Sequence, residues 1–394
     1  MACMGLDDTA SIKDLFNGPD APKVYMDPQI QSYLGLTDAQ ILGATGFSNV
    51  IITDPAQHPA LGDYLIDNAL KPFNPIERFL VESLASDTLT EIKTHFLDHK
   101  NAGNQLKNNP VFAIISLKNS PTKEAADSYY TTFLNQNLAG LNADDPAVKS
   151  FNLGGVPPVE FARITFYHEA SHVAQGHGKF RLKPDENSAL NALHDVRGEN
   201  EADIRGIQKY LADSASPEER AQRLKAVEVW HDVRAIGTMN DLIASSNTDG
   251  HSTNLYFDPG PHGPRPEFQG QENKDEALSR KVHELTFEAG EILRDTDILP
   301  YSFPLNNPAQ TNYIVISALD RNGAFDNDPM AKEMVKEYLE AMERRLPSLV
   351  HDPFTQEKIT ALYDELPDNL VLPAPTEEKP SPAAPAPIPA PFKP

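Results

Sequence analysis

The most constraining feature of this sequence is a pair of histidines four residues apart, with a glutamate directly after the first. His168, Glu169 and His172 form an H-E-x-x-H motif inside the segment TFYHEASHVAQGHG at residues 165–178. On an α-helix, residues four apart lie on one face, so both imidazoles can reach a single Zn²⁺ ion. Glu169 lies about 100° round the same helix, where a general base can take a proton from a zinc-activated water. The spacing therefore predicts a helix that carries a catalytic zinc site.

The residues around the motif favour a buried helix. Between residues 165 and 174, every residue other than the two histidines and the glutamate of the motif is uncharged. Phe166, Ala170 and Val173 give this helix an apolar side. A catalytic zinc needs a dry, shaped cavity, whereas an accidental match on a solvated helix would more often carry Lys or Glu at these positions.

A catalytic zinc site also needs a third protein ligand, with one position left for water. The segment ENEADIRG at residues 199–206 begins 27 residues after His172 and offers a candidate. Glu199 and Asp203 are four apart, so they share one face of a second helix. Glu199 can complete a His₂Glu site, while Asp203 can accept the free N–H of a liganding histidine and fix its tautomer.

The motif pair resembles a known group of enzymes. H-E-x-x-H followed by E-x-x-x-D looks like the gluzincin metallopeptidases, and HEASHVAQGHG with ENEADIRG is similar to the motif pair of the CAAX prenyl protease and heat-shock membrane protease family. The resemblance implies His168, His172 and Glu199 as zinc ligands, Glu169 as general base and Asp203 as hydrogen-bond partner of a ligand. It covers residues 165–206, and this chain lacks the membrane helices of that family. We therefore expect a soluble relative of the gluzincins.

Three nearby residues compete for a place among the ligands. His177 follows the second motif histidine by five residues, which is not the spacing of the metzincin pattern, and we interpret it as a helix-end histidine. Glu201 has Arg205 four residues on instead of an acidic partner. His194 precedes the predicted glutamate ligand by five residues and faces away from it on the helix. The sequence favours Glu199 over all three.

Two further roles stay open at this point. Peptide hydrolysis needs a donor for the oxyanion, and no spacing argument selects one. A strand at 111–117 would either pair with a substrate backbone beside the metal helix, as edge strands of zinc peptidases do, or be a plain core strand. The candidate oxyanion donors are His231, His251, Tyr256, His262 and Arg265.

The hydrophobic pattern predicts an α+β protein that is mainly helical, with the H-E-x-x-H helix packed on a small sheet beside a glutamate-bearing helix. We divide the chain into a helical region (1–109), a zincin-like metallopeptidase core (110–300), a second helical region (301–366) and a disordered Pro/Ala-rich tail (367–394). The apolar run 313–319 has the length of a strand. The expected strands are 49–53 and 111–117, and the expected helices are 74–99, 123–141, 158–175, 185–212, 217–245 with a break at Gly237, 274–296 and 330–345.

Composition restricts the partners and the compartment. The formal net charge is −23, so a nucleic acid or an anionic lipid surface would be repelled. A preference for basic substrates and a merely well-solvated surface both fit this charge. Cys3 is the only cysteine, and neither a secretory signal nor a run of about 18 apolar residues is visible, so we expect a cytoplasmic protein without integral membrane segments. Export without such a signal stays open, and the proline-rich tail offers a segment for a partner to bind.

These observations predict a zinc-dependent metallopeptidase. A zinc-activated water would hydrolyse the peptide bonds of a peptide or protein substrate, with Glu169 as general base. The alternative is a catalytically inactive, metal-stabilised interaction or regulatory protein on a gluzincin scaffold. It is motivated by the acidic surface, the proline-rich tail and the lack of an identified oxyanion donor.

Overall fold

The structure is a computed structural model, and it describes residues 23–58, 60–61, 102–105, 113–141, 149–175, 188–245, 253 and 308–367. Within these residues the fold is mainly helical with one small sheet, as predicted. The strands are β1 (Val24–Met26), β2 (Val50–Thr53), β3 (Ala102–Gln105) and β4 (Ala113–Ser116). The helices are α1 (Pro28–Leu34), α2 (Asp38–Thr45), α3 (Lys123–Phe133), α4 (Pro158–Gln175), α5 (Ser188–Ala212), α6 (Pro217–Ser245), α7 (Pro308–Asn322), α8 (Pro329–Arg345), α9 (Pro347–Val350) and α10 (Pro353–Glu365).

The four strands form one sheet in the order β1-β2-β4-β3. β1, β2 and β4 are parallel, and β3 joins β4 antiparallel. β2 (VIIT) and β4 (AIIS) are buried at every residue, which explains their continuous apolar runs. Both predicted strands are therefore confirmed. β4 is hydrogen-bonded on both edges, so the substrate-pairing interpretation of this strand is wrong and the core-strand interpretation is confirmed.

Helix α4 has the predicted bounds and lies at the centre of the packing. Its start matches its sequence, because Pro158 suits the first turn and Glu160 places a negative charge at the positive end of the helix dipole. It packs against α5, α3, α2, β3 and β4. One cluster of buried apolar side chains runs from Met26 through Phe166 to Leu366, so the first three predicted regions share a core.

Two local predictions are wrong, and a run with the length of a strand is helical. The apolar run 313–319 lies in helix α7, where Ile316, Ala318 and Leu319 are fully buried, because a short apolar run fits a helix inside a core as well as a strand. The helix predicted for 123–141 ends at Phe133 and continues as one π-helical turn, Leu134–Leu138.

The second error concerns Gly237, which was expected to break helix α6. The helix continues through this residue to Ser245. A Cβ atom on Gly237 would lie 1.8 Å from the backbone oxygen of Leu138. The glycine therefore allows the π-helical turn to approach α6, and it does not end the helix.

Several predictions lie outside the described residues, namely the helices 74–99 and 274–296 and the tail from 368 onward. Among the helices that the structure does describe, none has both the length and the apolar composition needed to cross a bilayer.

Candidate metal centre

The residues of the two motifs converge where α4 and α5 pack together. His168 and His172 extend from α4, and Glu199 extends from α5. The Nε2 atoms of the two histidines are 3.1 Å apart. Glu199 places Oε2 3.0 Å from His168 Nε2, and Oε1 3.2 Å from His172 Nε2. Among the described residues, this is the one group of three or more His, Cys, Asp or Glu side chains with the spacing to hold a metal ion.

These distances fit the donor set of a zinc site. Zn–N and Zn–O bonds of about 2.0–2.1 Å at tetrahedral angles place neighbouring donor atoms roughly 3.3 Å apart. The three distances here are slightly shorter, at 3.0 to 3.2 Å. Two imidazole lone pairs facing each other at this separation repel unless a proton or a cation lies between them. The group can therefore hold a metal ion, and two imidazoles with one carboxylate suit zinc.

Close approach of the two helices makes this convergence possible, and Gly206 allows it. A Cβ atom on Gly206 would lie 2.9 Å from the backbone nitrogen of His168 and 3.0 Å from the carbonyl carbon of Tyr167. Residue 206 lies two turns of α5 beyond Glu199, so it faces α4 as well. The glycine thus lets α5 lie directly on the backbone of the first histidine.

Asp203 binds the other side of the His168 ring, as the sequence predicted. Its Oδ1 lies 2.8 Å from His168 Nδ1, and the side chain is 1% exposed. When Nδ1 donates its proton to this carboxylate, Nε2 keeps a lone pair that faces His172 and Glu199. The aspartate therefore holds the orientation of the ring and, when the ring is neutral, favours the tautomer with its proton on Nδ1.

Nearby charges shift the pKa values of both His168 and Asp203. Burial lowers the pKa of His168, but Asp203 and Glu199 outweigh burial and raise that pKa to about 10 in the metal-free protein. Burial raises the pKa of Asp203, but Arg234, His168 and Thr253 together hold it well below its ordinary value. The carboxylate is thus ionised, and the proton stays on the imidazole.

Glu169 is the next residue of α4 after the first histidine, and it is 9% exposed. The helix places it on the turn that carries the ligands, rotated away from their common face. This position agrees with a group that acts beside a metal and does not bind it. Burial raises the pKa of Tyr130 of α3, and the nearby charge of Glu169 adds a smaller part of this increase.

The competing residues are only partly covered by the structure. Glu201 is partly exposed and pairs with Arg205 one turn on, and it is not a member of the three-residue group. His194 lies in α5, whereas His177 is outside the described residues. Of the five candidate oxyanion donors, His231 lies in α6 with its Nε2 3.7 Å from Glu337. The other four, His251, Tyr256, His262 and Arg265, are outside the described residues.

The sequence did not predict which residues surround the Asp203 carboxylate. Trp230 and Arg234 of α6 donate to Asp203 Oδ1, and Thr253 donates to Oδ2. One usable signal was present, because Trp230 is the chain's only tryptophan and lies one turn before a basic residue. A second was Gly206, since glycine inside a helical pattern usually has a packing reason.

Comparison of this chain with protein-family models, with curated proteins and with solved structures found no match. The inferences about function therefore depend on the site itself. Its arrangement can bind a divalent cation through two imidazoles and one carboxylate. It also places a second carboxylate, that of Glu169, on the same turn of helix as the ligands.

Proposed function

We propose that this chain is a zinc-dependent metallopeptidase of the gluzincin type, which hydrolyses peptide bonds with a zinc-activated water. The observation that carries the proposal is the convergence of His168, His172 and Glu199 from two helices, with donor distances of 3.0 to 3.2 Å. The zincin-like core is part of the proposal. It is supported by α4 packing on strands β3 and β4 and by α5 covering the ligand face.

Each residue has a distinct role in the proposed reaction. His168, His172 and Glu199 bind the ion, and Asp203 holds the first histidine in the tautomer that binding requires. When bound, zinc lowers the pKa of a water towards about 7 and polarises the scissile carbonyl.

Glu169 moves the proton in both halves of the reaction. It takes a proton from the attacking water as the oxygen bonds to the carbonyl carbon. It then delivers that proton to the amide nitrogen as the carbon–nitrogen bond breaks. Its burial supports this role, because a carboxylate shielded from bulk solvent keeps the proton near the reacting atoms.

The proposal is tested with the full chain and one matched variant. Purified protein is assayed for zinc by mass spectrometry and for cleavage of a mixed-sequence peptide library at neutral pH. We expect about one zinc per chain, and cleavage that a chelator abolishes and added zinc restores. Glu169→Gln keeps the shape and the zinc but removes the base, so the cleavage rate should fall by about 10²- to 10⁴-fold.

Two outcomes would contradict the proposal. Glu169→Gln that cleaves as fast as the wild type would remove the general base from the mechanism. Stoichiometric zinc without cleavage of any library peptide would instead favour the alternative, a catalytically inactive, metal-stabilised interaction or regulatory protein.

A further inference from the structure

Asp203 is held by helix α6 as well as by its histidine partner. Trp230 Nε1 and Arg234 Nη2 donate to Oδ1 at 3.3 Å and 3.2 Å, and His168 Nδ1 lies 2.8 Å from the same oxygen. The two α6 residues are four apart, so they reach one carboxylate from one face of the helix. The hydroxyl of Thr253 donates to the other oxygen, Oδ2. The carboxylate is therefore fixed at both oxygens.

Trp230 contacts both members of the Asp203–His168 pair. Its indole N–H binds the aspartate, and its ring centroid lies 6.4 Å from that of the histidine. The guanidinium of Arg234 lies 5.0 Å from the centroid of the same indole ring. The guanidinium, the indole, the carboxylate and the imidazole thus form one buried cluster next to the proposed metal-binding nitrogen.

The environment of Arg234 is costly for stability. The residue is 2% exposed, and its Nε and Nη1 atoms are buried without a hydrogen-bond partner among the described residues. A buried donor without a hydrogen-bond partner lowers the stability of the folded state. Replacing a buried ion pair with well-packed apolar side chains often leaves the protein as stable as before, or makes it more stable. Stability of the fold alone therefore does not explain an arginine at this position.

We propose that Arg234 is a positioning residue of the metal centre. It holds the Asp203 carboxylate against the Nδ1 side of His168, with Trp230 bracing the pair, so that His168 Nε2 stays aimed at the ion. This inference rests on the metal site of the proposed function, but it concerns ion binding and does not depend on which bond is cleaved. Removal of Arg234 would let the carboxylate rotate, and the imidazole would lose its fixed direction.

The structure offers a matched control in the same helix. Arg223 is 3% exposed, lies over the ring of Tyr210 at 4.8 Å and pairs with Glu219 at 2.6 Å. It also has a buried Nε without a partner in the described part of the chain. Arg223→Met therefore removes a buried, ring-stacked, ion-paired arginine of α6 that makes no hydrogen bond or ion pair with Asp203 among the described residues. It should lower the stability of the fold without changing the metal centre.

The test measures zinc affinity by competition with a chromophoric chelator, and the visible spectrum after substitution with Co²⁺. Arg234→Met should weaken zinc binding by about 10- to 100-fold and shift the Co²⁺ bands, because the ligand orientation changes. Arg223→Met should leave both within twofold of the wild type. Arg234→Lys keeps the charge and should recover part of the lost affinity. Trp230→Phe removes one N–H but keeps a ring, so it should give a smaller loss of affinity even if Arg234→Met fails to fold.

The outcomes separate this inference from the proposed function. Zinc affinity and a Co²⁺ spectrum unchanged in folded Arg234→Met would overturn the positioning role and leave the peptidase proposal standing. Should Arg234→Met not fold, wild-type affinity in Trp230→Phe overturns the role instead. If Arg223→Met loses as much zinc affinity as Arg234→Met, both losses come from general destabilisation of the fold. That result would also overturn the positioning role. If Arg234→Met alone loses zinc affinity and the wild-type protein cleaves no peptide, the positioning role is supported and the peptidase proposal is contradicted. A wild-type chain that binds no zinc contradicts both.

Discussion

Gly206→Ala is the sharpest test of how the two motif helices build the metal centre. The added Cβ would lie 2.9 Å from the backbone nitrogen of His168, and 3.0 Å from its Cα. Ordinary contacts between such atoms begin at about 3.5 Å, so the shortfall is about 0.6 Å. Backbone atoms within a helix cannot rotate out of the way, and the two helices must therefore move apart.

That displacement is large compared with the tolerance of a metal site. Ligand distances outside about ±0.2 Å of their ideal values weaken coordination. Glu199 lies on the helix that moves, whereas both histidine ligands lie on the helix that it moves away from. A shift of about 0.6 Å is roughly three times that tolerance, so zinc affinity should fall by at least 10-fold.

The control is Gly43→Ala in the exposed part of helix α2. A Cβ at that position meets nothing within 4 Å, so alanine should stabilise the fold by about 0.5–1 kcal/mol through helix propensity. Zinc affinity of both variants is measured by chelator competition, and stability by urea unfolding of the metal-free proteins. A Gly206→Ala protein that binds zinc as tightly as Gly43→Ala would refute the argument that helix contact sets the ligand geometry.

Three further predictions concern protons and packing. The pKa of His168 is about 10 in the metal-free protein, so zinc must displace a proton from this ring when it binds. The affinity of the protein for zinc should therefore rise with pH until about 10. Calorimetry in buffers of different ionisation enthalpy should find close to one proton released at pH 7.5. Gly237→Ala places a Cβ 1.8 Å from the oxygen of Leu138 and should cost about 3 kcal/mol in urea unfolding, and an unchanged midpoint would contradict this packing. Arg345 donates to the buried carboxylate of Asp232 at 2.6 Å. Asp232→Asn removes this charge and should lower the free energy of unfolding by about 3–5 kcal/mol in the same assay. A loss below about 1 kcal/mol would show that the pair is solvated.

The sequence was most informative where the determining contacts are local. The bounds of α4 follow from Pro158 at its start and from the apolar pattern along its length. The convergence of His168, His172 and Glu199 could be predicted because each motif fixes its own face through four-residue spacing. Only the meeting of the two faces depended on tertiary structure, and the resemblance to the gluzincin motif pair supplied that expectation.

The errors arose where a contact distant in the sequence decides the local structure. A glycine such as Gly237 suggests a helix break in the sequence, but here it is needed because the carbonyl of Leu138 lies against it. Residues 313–319 have the length of a strand but lie in a helix, and a short apolar run has no period that separates a buried strand from a buried helix. The contacts of Trp230 and Arg234 were not predicted for the same reason, because the carboxylate that they bind lies on another helix.

Arg234 of α6 also balances a charge beside the proposed metal centre. Arg234 and Asp203 are buried together and cancel each other, so neither adds net charge to the site. Of the three residues proposed as ligands, only Glu199 carries a negative charge when both histidines are neutral. A divalent ion held by this group would therefore keep about one unit of positive charge, which favours polarisation of a carbonyl. Without the arginine, the charge of Asp203 would offset that remainder, so we expect the Arg234 cation to preserve the positive charge of a bound ion as well as the proposed ligand geometry.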